Sequence, residues 1–178
     1  DAPEDGPWTA HATGTLSSPE DDASPPADPR LQVLPPAGGE PLDLTDLYPR
    51  LAEQGLGYGP AFQGLTEAFR VGDAVYGRVV LPASVSETAG DYGIHPALLD
   101  AALHTLTAVG LSETDASAGE VMLPFAWSGV TLHATGAAEL RVCLEVSEAT
   151  ATGEATAVLS VADASGGPVA TVGGLQVR

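Results

Sequence analysis

The chain has 178 residues, of which 44% are apolar and 17% are charged. Its length and composition predict one globular domain, or slightly more, rather than a disordered segment. Twenty-four acidic residues against six arginines, with no lysine, give a formal net charge of −18. Such a field repels nucleic acid and anionic membrane surfaces, and we expect neither as a partner.

Cys143 is the single cysteine, which excludes an intrachain disulfide and a cysteine-built metal site. A lone thiol fits a reducing compartment, so we expect a cytoplasmic protein. Three of the first five residues are acidic, and the sequence holds no apolar run long enough to span a bilayer. Because the chain starts at Asp1 rather than at methionine, we expect it to be a piece of a longer protein.

The first forty residues predict a strand followed by a linker. Residues 8–16 alternate in a way that is typical of one short strand. Residues 17–40 contain six prolines and several acidic residues, which predict a partly extended linker. Since a single strand is not stable alone, it must pair with a segment before residue 1 or with the later sheet.

The middle of the chain predicts a short helix, a glycine-rich loop and a hairpin. Leucines recur on one face of residues 41–54, which favours a helix. Residues 55–64 form the loop, and a two-residue Gly72-Asp73 turn joins strands over 65–71 and 74–81. A polar loop over 84–92 follows.

Residues 95–109 predict the one long helix, with Pro96 in its first turn and Gly110 after its end. This helix is apolar on almost every side, so it should be buried. A polar loop over 112–120 follows. Four further strands are predicted, and within the second of them Leu140, Val142, Leu144 and Val146 should point inward while Cys143 points outward. The predicted strands lie within residues 122–133, 140–146, 156–162 and 169–177. This order predicts an α+β fold in which a curled antiparallel sheet wraps round a central helix.

Asp100 is the most informative residue, because it lies inside the most apolar helix of the chain. A buried carboxylate is costly unless it is paired or protonated. His104 lies four residues later and therefore shares the same helical face. An acid beside an imidazole at a cavity can donate and relay protons. The alternative is an ion pair or capping pair on a solvated edge.

The other three histidines are weaker candidates. His95 begins the helix and is expected to act as a local cap, while His11 and His133 alternate with threonines and should lie at the surface. Residues 95, 100 and 104 do not share one helical side, so no metal site is expected.

Two aromatic loops complete the set of candidates. Residues 58–64, YGPAFQG, predict a rigid loop with aromatic walls, and they lack the lysine of a phosphate-binding loop. Residues 123–130, LPFAWSGV, enter a strand and could equally plug the core. No serine nucleophile elbow and no dinucleotide-binding fingerprint is present in the sequence.

The segments YGPAFQGL (58–65), HPALLDAALH (95–104) and LPFAWSGV (123–130), in this order, closely resemble the dehydratase domain of modular type I polyketide synthases. That family folds as a double hotdog, and the resemblance covers its C-terminal hotdog at residues 41–178 and the linker at 17–40. Residues 1–16 then resemble the last strand of the preceding hotdog. Such enzymes eliminate water from a 3-hydroxyacyl chain on an acyl carrier protein and give an α,β-unsaturated thioester.

The resemblance implies roles for particular residues. Asp100 protonates the departing hydroxyl, and His104, where the family has His or Gln, assists it. Tyr58 would contact the hydroxyl from the tunnel wall. The remaining substrate-binding residues implied are Gly59, Pro60, Phe62, Leu123, Pro124 and Phe125. No cofactor of its own is implied, since the substrate arrives on the phosphopantetheine arm of the carrier protein.

One element of the family pattern is absent. The catalytic base is a histidine followed by glycine four residues later and proline nine residues later, and neither His11 nor His95 has glycine at that distance. The sequence therefore predicts the acid-bearing half, inactive alone, with the N-terminal hotdog and the carrier protein as partners and a homodimer within a synthase. A double-bond isomerase, a pyran-forming cyclase and a non-catalytic acyl- or carrier-binding hotdog remain open.

Overall fold

The computed structural model describes residues 9–17, 27–112, 123–146 and 155–177. Two α-helices and seven strands form the domain within these ranges, together with short 3-10 turns. The helices are α1 (Leu47–Glu53) and α2 (Pro96–Ser112). The strands are β1 (Glu40–Pro41), β2 (Leu65–Val71), β3 (Ala74–Val80), β4 (Pro124–Leu132), β5 (Glu139–Val146), β6 (Ala155–Asp163) and β7 (Pro168–Val177).

All seven strands belong to one antiparallel sheet in the order β1-β2-β3-β5-β6-β7-β4. Helix α2 packs on the inner face of this sheet, mainly over β3 and its neighbours β2 and β5. The inward residues Leu140, Val142 and Leu144 are fully buried beneath it, as the alternation of this segment predicts. The predicted hotdog architecture, a curled sheet round a long central helix, is therefore confirmed.

Two glycines allow helix α2 to lie close to the sheet. A Cβ atom at Gly77, in the middle of β3, would lie 2.5 Å from Cγ2 of Thr105 on the helix. A Cβ atom at Gly64, just before β2, would lie 2.9 Å from the carbonyl oxygen of Val80 and 3.1 Å from Cβ of Ala101. The distances to Thr105 and to Val80 are shorter than real Cβ contacts, and the distance to Ala101 is tight. A larger residue at Gly77 would therefore push the helix outward.

The outer face of the sheet is also covered, which corrects the prediction for Cys143. This residue points away from the helix as predicted, but it is 1% exposed. Leu31, from a 3-10 turn inside the predicted linker, packs over it together with Tyr76. Arg141 fixes this turn by donating hydrogen bonds to the carbonyl oxygens of Leu31 and Gln32. Part of residues 17–40 thus forms a second, smaller core rather than a free linker.

Three predicted elements differ from the structure. Residues 9–16 are exposed and form no strand, because no described segment pairs with them. The helix predicted over 41–54 is limited to α1, and its first predicted residue, Pro41, instead belongs to β1, which pairs with β2. Helix α2 continues through Gly110 to Ser112 instead of ending before it. Whether residues 1–16 belong to a preceding hotdog stays a prediction, and most of the loop predicted over 112–120 lies outside the described residues.

Strand β4 forms one end of the sheet and leaves large apolar side chains exposed. It pairs with β7 on one side only. Phe125 is 56% exposed and Val130 is 58% exposed, although apolar residues of a strand normally face a core on at least one side. This strand is an unprotected edge of the kind that pairs with another chain or segment. None of the described helices is both long and apolar enough to cross a bilayer.

We expect Gly77→Ala to lower the free energy of unfolding by about 1–3 kcal/mol, because the added methyl group overpacks the contact with Thr105. Chemical denaturation monitored by circular dichroism measures this loss. Gly57→Ala is the matched control, since a Cβ atom there meets nothing within 4 Å. Thr105→Ser, which removes the clashing methyl group, should recover part of the loss; an unchanged stability of Gly77→Ala would refute the close approach.

We also expect the Cys143 thiol to react slowly with a thiolate-directed reagent, because burial raises its pKa. Leu31→Ala should accelerate labelling by uncovering the thiol. Leu47→Ala in α1 is the control, because Leu47 belongs to the core between α2 and the sheet. Its loss destabilises the domain without opening the second, smaller core around Leu31, Tyr76 and Cys143, the outer cluster. Equal labelling rates in the two variants, compared at matched stability, would show that Leu31 does not cover Cys143.

Candidate active site

Helix α2 brings Asp100 and His104 together on one face. Its first turn is fixed by His95, whose Nδ1 accepts a hydrogen bond of 3.2 Å from the backbone N–H of Ala97. One turn further on, Nε2 of His104 lies 3.4 Å from Oδ2 of Asp100. The four-residue spacing therefore produces the acid–imidazole contact that the sequence predicts, and His95 acts as the local cap that was expected of it.

The two facing atoms of this pair are buried and lack a well-formed hydrogen bond. The side chain of His104 is 3% exposed and that of Asp100 is 38% exposed. Oδ2 and Nε2 are inaccessible and satisfy the distance for an ion pair but not the geometry of a hydrogen bond. Buried polar atoms are normally paired, and within the described ranges these are the two buried side-chain N or O atoms that lack a hydrogen-bond partner.

The second carboxyl oxygen of Asp100 faces outward. Oδ1 accepts no hydrogen bond within the described ranges, yet it is not one of the buried atoms that lack a partner. The exposed part of the Asp100 side chain therefore includes this oxygen. Asp100 thus presents one oxygen to His104 and the other to the open side of the helix. A carboxyl in this arrangement can exchange a proton with a bound molecule through Oδ1 while the imidazole contacts Oδ2.

Tyr48 of helix α1 is a site residue that sequence reasoning missed. Its hydroxyl lies 3.4 Å from Nδ1 of His104 and accepts a hydrogen bond of 3.1 Å from the backbone N–H of Leu65. Its position is explained by Leu47 and Leu51, which are 1% exposed and anchor the short helix against the core. Tyr48 lies next to an apolar anchor on a seven-residue helix, and no motif marks it in the sequence.

Tyr58, from the glycine-rich loop, also packs against the imidazole of His104. The contact of Tyr58 with the substrate hydroxyl that the resemblance implies stays a prediction. The ring centroids of Tyr58 and His104 are 4.3 Å apart at an interplanar angle of 62°. Gln63 holds the loop by donating a 2.8 Å hydrogen bond to the carbonyl oxygen of Tyr58. Gly59, Pro60 and Phe62 form the adjoining 3-10 turn, which packs near α2.

Both tyrosines are held in the protonated, hydrogen-bond-donating form. Burial and, to a smaller degree, the negative charge of Asp100 raise the pKa of Tyr48 to about 12, although the N–H of Leu65 opposes this shift. The same two causes, burial first, raise the pKa of Tyr58. At neutral pH the site therefore contains two phenol O–H groups, one carboxyl and one imidazole.

The structure does not bring the third sequence motif to this site. Leu123, Pro124 and Phe125 lie at the start of the exposed strand β4, at the opposite end of the sheet from β2 and β3. Their predicted contact with the substrate arm stays a prediction. Of the remaining histidines, His11 is exposed, whereas half-buried His133 contacts the hydroxyl of Thr171 at 3.2 Å. No group of three or more His, Cys, Asp or Glu side chains in the described part of the chain could hold a metal ion.

The chain is similar in sequence to polyketide synthases and in fold to their dehydratase domains. The GfsB polyketide synthase of Streptomyces halstedii is 50% identical over 171 residues, which are 96% of this chain and 3% of that protein. The bifunctional dehydratase-cyclase domain of ambruticin biosynthesis is 44% identical with a TM-score of 0.75, over 82% of this chain and 50% of that one. The dehydratase domain from the terminal module of the rifamycin polyketide synthase is 35% identical with a TM-score of 0.73, over 90% of this chain and 54% of that one.

The chain thus spans about half of these solved structures and a few per cent of the curated synthase. The matching family model covers residues 26–178 and is described as the N-terminal domain of the polyketide synthase dehydratase. This description differs from our expectation that the chain is the C-terminal half, and the expectation therefore stays a prediction. The match extends over most of the chain at substantial identity, and the chain belongs to the polyketide synthase dehydratase family.

Proposed function

We propose that this chain supplies the acid for eliminating water from a 3-hydroxyacyl thioester carried by an acyl carrier protein. The observation that carries the proposal is the Asp100–His104 contact, two buried polar atoms 3.4 Å apart with no hydrogen-bond partner in the described ranges. A structural ion pair would be expected to satisfy both atoms. A pair that stays incompletely satisfied, with Oδ1 accessible, is suited to exchanging a proton during a reaction.

The elimination assigns a distinct task to each side chain. A base removes the α proton of the thioester, the C–C double bond forms, and the β-hydroxyl leaves as water after accepting a proton from Asp100. The carboxylate that remains is stabilised by the N–H of His104. Tyr58, with its phenol protonated beside this pair, is placed to donate a hydrogen bond to the substrate hydroxyl.

The base must come from another part of the protein. None of the described side chains at the site is a free base, since His104 is engaged with Asp100 and Tyr48. We propose that an N-terminal hotdog supplies a histidine and that strand β4 is the edge it covers. Two observations support this partner: the exposed apolar side chains of β4 and the coverage of only about half of the solved dehydratases.

The remaining partners follow from the same proposal. The substrate is delivered on the phosphopantetheine arm of a carrier protein, and the chain needs no cofactor of its own for a proton-transfer reaction. We further propose a cytoplasmic assembly line in which the complete dehydratase is a homodimer. The polyketide synthase relatives support the carrier protein as a partner, because they are long proteins of which this chain matches a small part.

A cyclase is the second candidate. The ambruticin neighbour is a bifunctional dehydratase-cyclase, and an acid beside a histidine can also activate a hydroxyl for ring closure. The two activities are separated by their products. Dehydration alone gives a linear unsaturated thioester, whereas cyclisation of a substrate with a second hydroxyl gives a ring of the same mass, which chromatography resolves from the linear compound.

Asp100→Asn in the complete dehydratase should lower the rate of water loss by ~10² to 10⁴, the usual contribution of a general acid, because an amide cannot release a proton to the leaving group. Mass spectrometry of the carrier-bound product measures this rate. Asp91→Asn is the matched control, as Asp91 is exposed on a nearby 3-10 turn. His104→Gln should be milder, since glutamine can still donate a hydrogen bond to the carboxyl. An Asp100→Asn rate within threefold of wild type would rule out the acid role.

The 178-residue chain alone should show no dehydration of a 3-hydroxyacyl thioester, because no base is available for the weakly acidic α proton. Its exposed β4 edge should cause self-association despite the charge of −18. Adding the N-terminal hotdog in trans should restore water loss and suppress self-association, which sedimentation velocity measures. Turnover by the chain alone would mean that the base lies within it, and His95 and His104 would be the first candidates.

A further inference from the structure

The hydrogen bonds around the hydroxyl of Tyr48 orient its proton. Its oxygen accepts the backbone N–H of Leu65 at 3.1 Å, and Nδ1 of His104 is the polar atom on its other side, at 3.4 Å. The pKa of this phenol is raised to about 12, so the hydroxyl keeps its proton at neutral pH. With Leu65 donating to the oxygen, the phenol proton is directed towards Nδ1.

This direction determines which nitrogen of His104 carries the imidazole proton. A neutral imidazole has one donor and one acceptor nitrogen, and the hydrogen bond at one nitrogen fixes the role of the other. If Nδ1 accepts from Tyr48, the proton is on Nε2, which lies 3.4 Å from Oδ2 of Asp100. The contact between the ring of Tyr58 and His104, with centroids 4.3 Å apart, restricts rotation of the imidazole away from this arrangement.

We propose that Tyr48 is a positioning residue that fixes His104 as the Nε2–H tautomer, so that His104 donates a hydrogen bond to the carboxyl of Asp100. Tyr48 acts through His104 and makes no contact with the substrate. In the opposite tautomer the lone pair of Nε2 would face Oδ2, and the carboxylate formed when Asp100 releases its proton would lose its donor. The inference rests on the proposed function, because it assigns Tyr48 to the same acid.

A double-mutant cycle in the complete dehydratase tests this coupling. Tyr48→Phe should lower kcat by about fivefold, the effect of losing one ordinary hydrogen bond, and leave KM unchanged. In a His104→Ala background, where no imidazole remains to be oriented, Tyr48→Phe should change kcat less than twofold. If Tyr48 served only to hold Leu65, the loss would persist in both backgrounds, and this result would overturn the proposal.

Tyr76→Phe is the matched control for removing a buried phenol hydroxyl. Tyr76 is 5% exposed and packs in the outer cluster with Leu31 and Cys143, on the opposite face of the sheet. This variant should retain wild-type kcat. A fivefold loss in Tyr76→Phe as well would attribute the effect of Tyr48→Phe to general destabilisation and would overturn the proposal.

Nitrogen NMR of the complete dehydratase labelled with ¹⁵N-histidine gives a readout that does not depend on activity. In the wild type, the His104 resonances, assigned by their loss in His104→Ala, should show a protonated Nε2 and an unprotonated Nδ1. The Nδ1 resonance should move in Tyr48→Phe and stay in place in Tyr76→Phe. A proton on Nδ1 in the wild type, or an Nδ1 resonance that ignores Tyr48→Phe, would overturn the proposal.

The same set of variants separates failure of this inference from failure of the proposed function. If Asp100→Asn abolishes water loss while Tyr48→Phe has wild-type kcat, Asp100 is the acid and Tyr48 has no part in its action. If Asp100→Asn retains wild-type activity, the acid assignment itself fails. The NMR signature would then still report whether Tyr48 fixes the tautomer of His104.

Discussion

The structure depends on how closely helix α2 lies against the sheet. Because Gly77 and Gly64 have no side chains, Thr105 and Ala101 of helix α2 pack directly against the backbone beneath them. The helix therefore lies close to the sheet, and its apolar residues fill the space inside the curl. This depth places His104 at 3% side-chain exposure. A polar side chain cannot reach bulk water from there, and its partners must come from the protein. The buried contact between Asp100 and His104 is thus a consequence of packing.

The polar shell round the imidazole comes from elements that are separate in sequence. Asp100 approaches from the preceding turn of the same helix, Tyr48 from α1, and Tyr58 from the glycine-rich loop. Each of these elements is fixed by its own local interaction. Leu47 and Leu51 anchor α1 in the core, and Gln63 ties the loop to its own backbone. The imidazole is therefore contacted by groups that have anchors of their own, an arrangement that would preorganise the site under the proposed function.

Periodicity in the sequence predicted the elements that bury one regular face. The hairpin of β2 and β3, the alternation in β5 and the four-residue spacing of Asp100 and His104 all follow from local rules, and the structure confirms them. Tyr48 could not be predicted in this way, because its contact with His104 joins two residues that lie 56 positions apart, on different helices. The role of Tyr48 becomes visible only in the tertiary structure, because no pattern in the seven residues of α1 distinguishes it.

The differences between the predicted and the observed elements have a common physical origin. Each arises because a local sequence pattern does not show which distant residues will contact the segment. Cys143 was predicted to point outward and does so, but the alternation of β5 shows only which face it lies on, and not that Leu31 covers that face. Proline density in residues 17–40 predicted a partly extended linker, yet the 3-10 turn at Pro29–Leu31 packs on the sheet, where Arg141 holds it by hydrogen bonds. Residues 8–16 have a strand pattern, but a strand needs a neighbouring strand.

The two ends of the sheet differ in how many of their side chains already have contacts within the described residues. At the α2 end, the carboxyl, the imidazole and both tyrosines are assembled by residues between 48 and 104, and their mutual contacts are already formed. At the β4 end, Phe125, Trp127 and Val130 are left exposed along an edge that has one strand neighbour. The contacts that orient Asp100 therefore need no further segment, whereas the apolar edge gains free energy from being covered. Under the proposed function, the acid would be preorganised within one hotdog, and burial of the edge would bring the base of another hotdog into register with it.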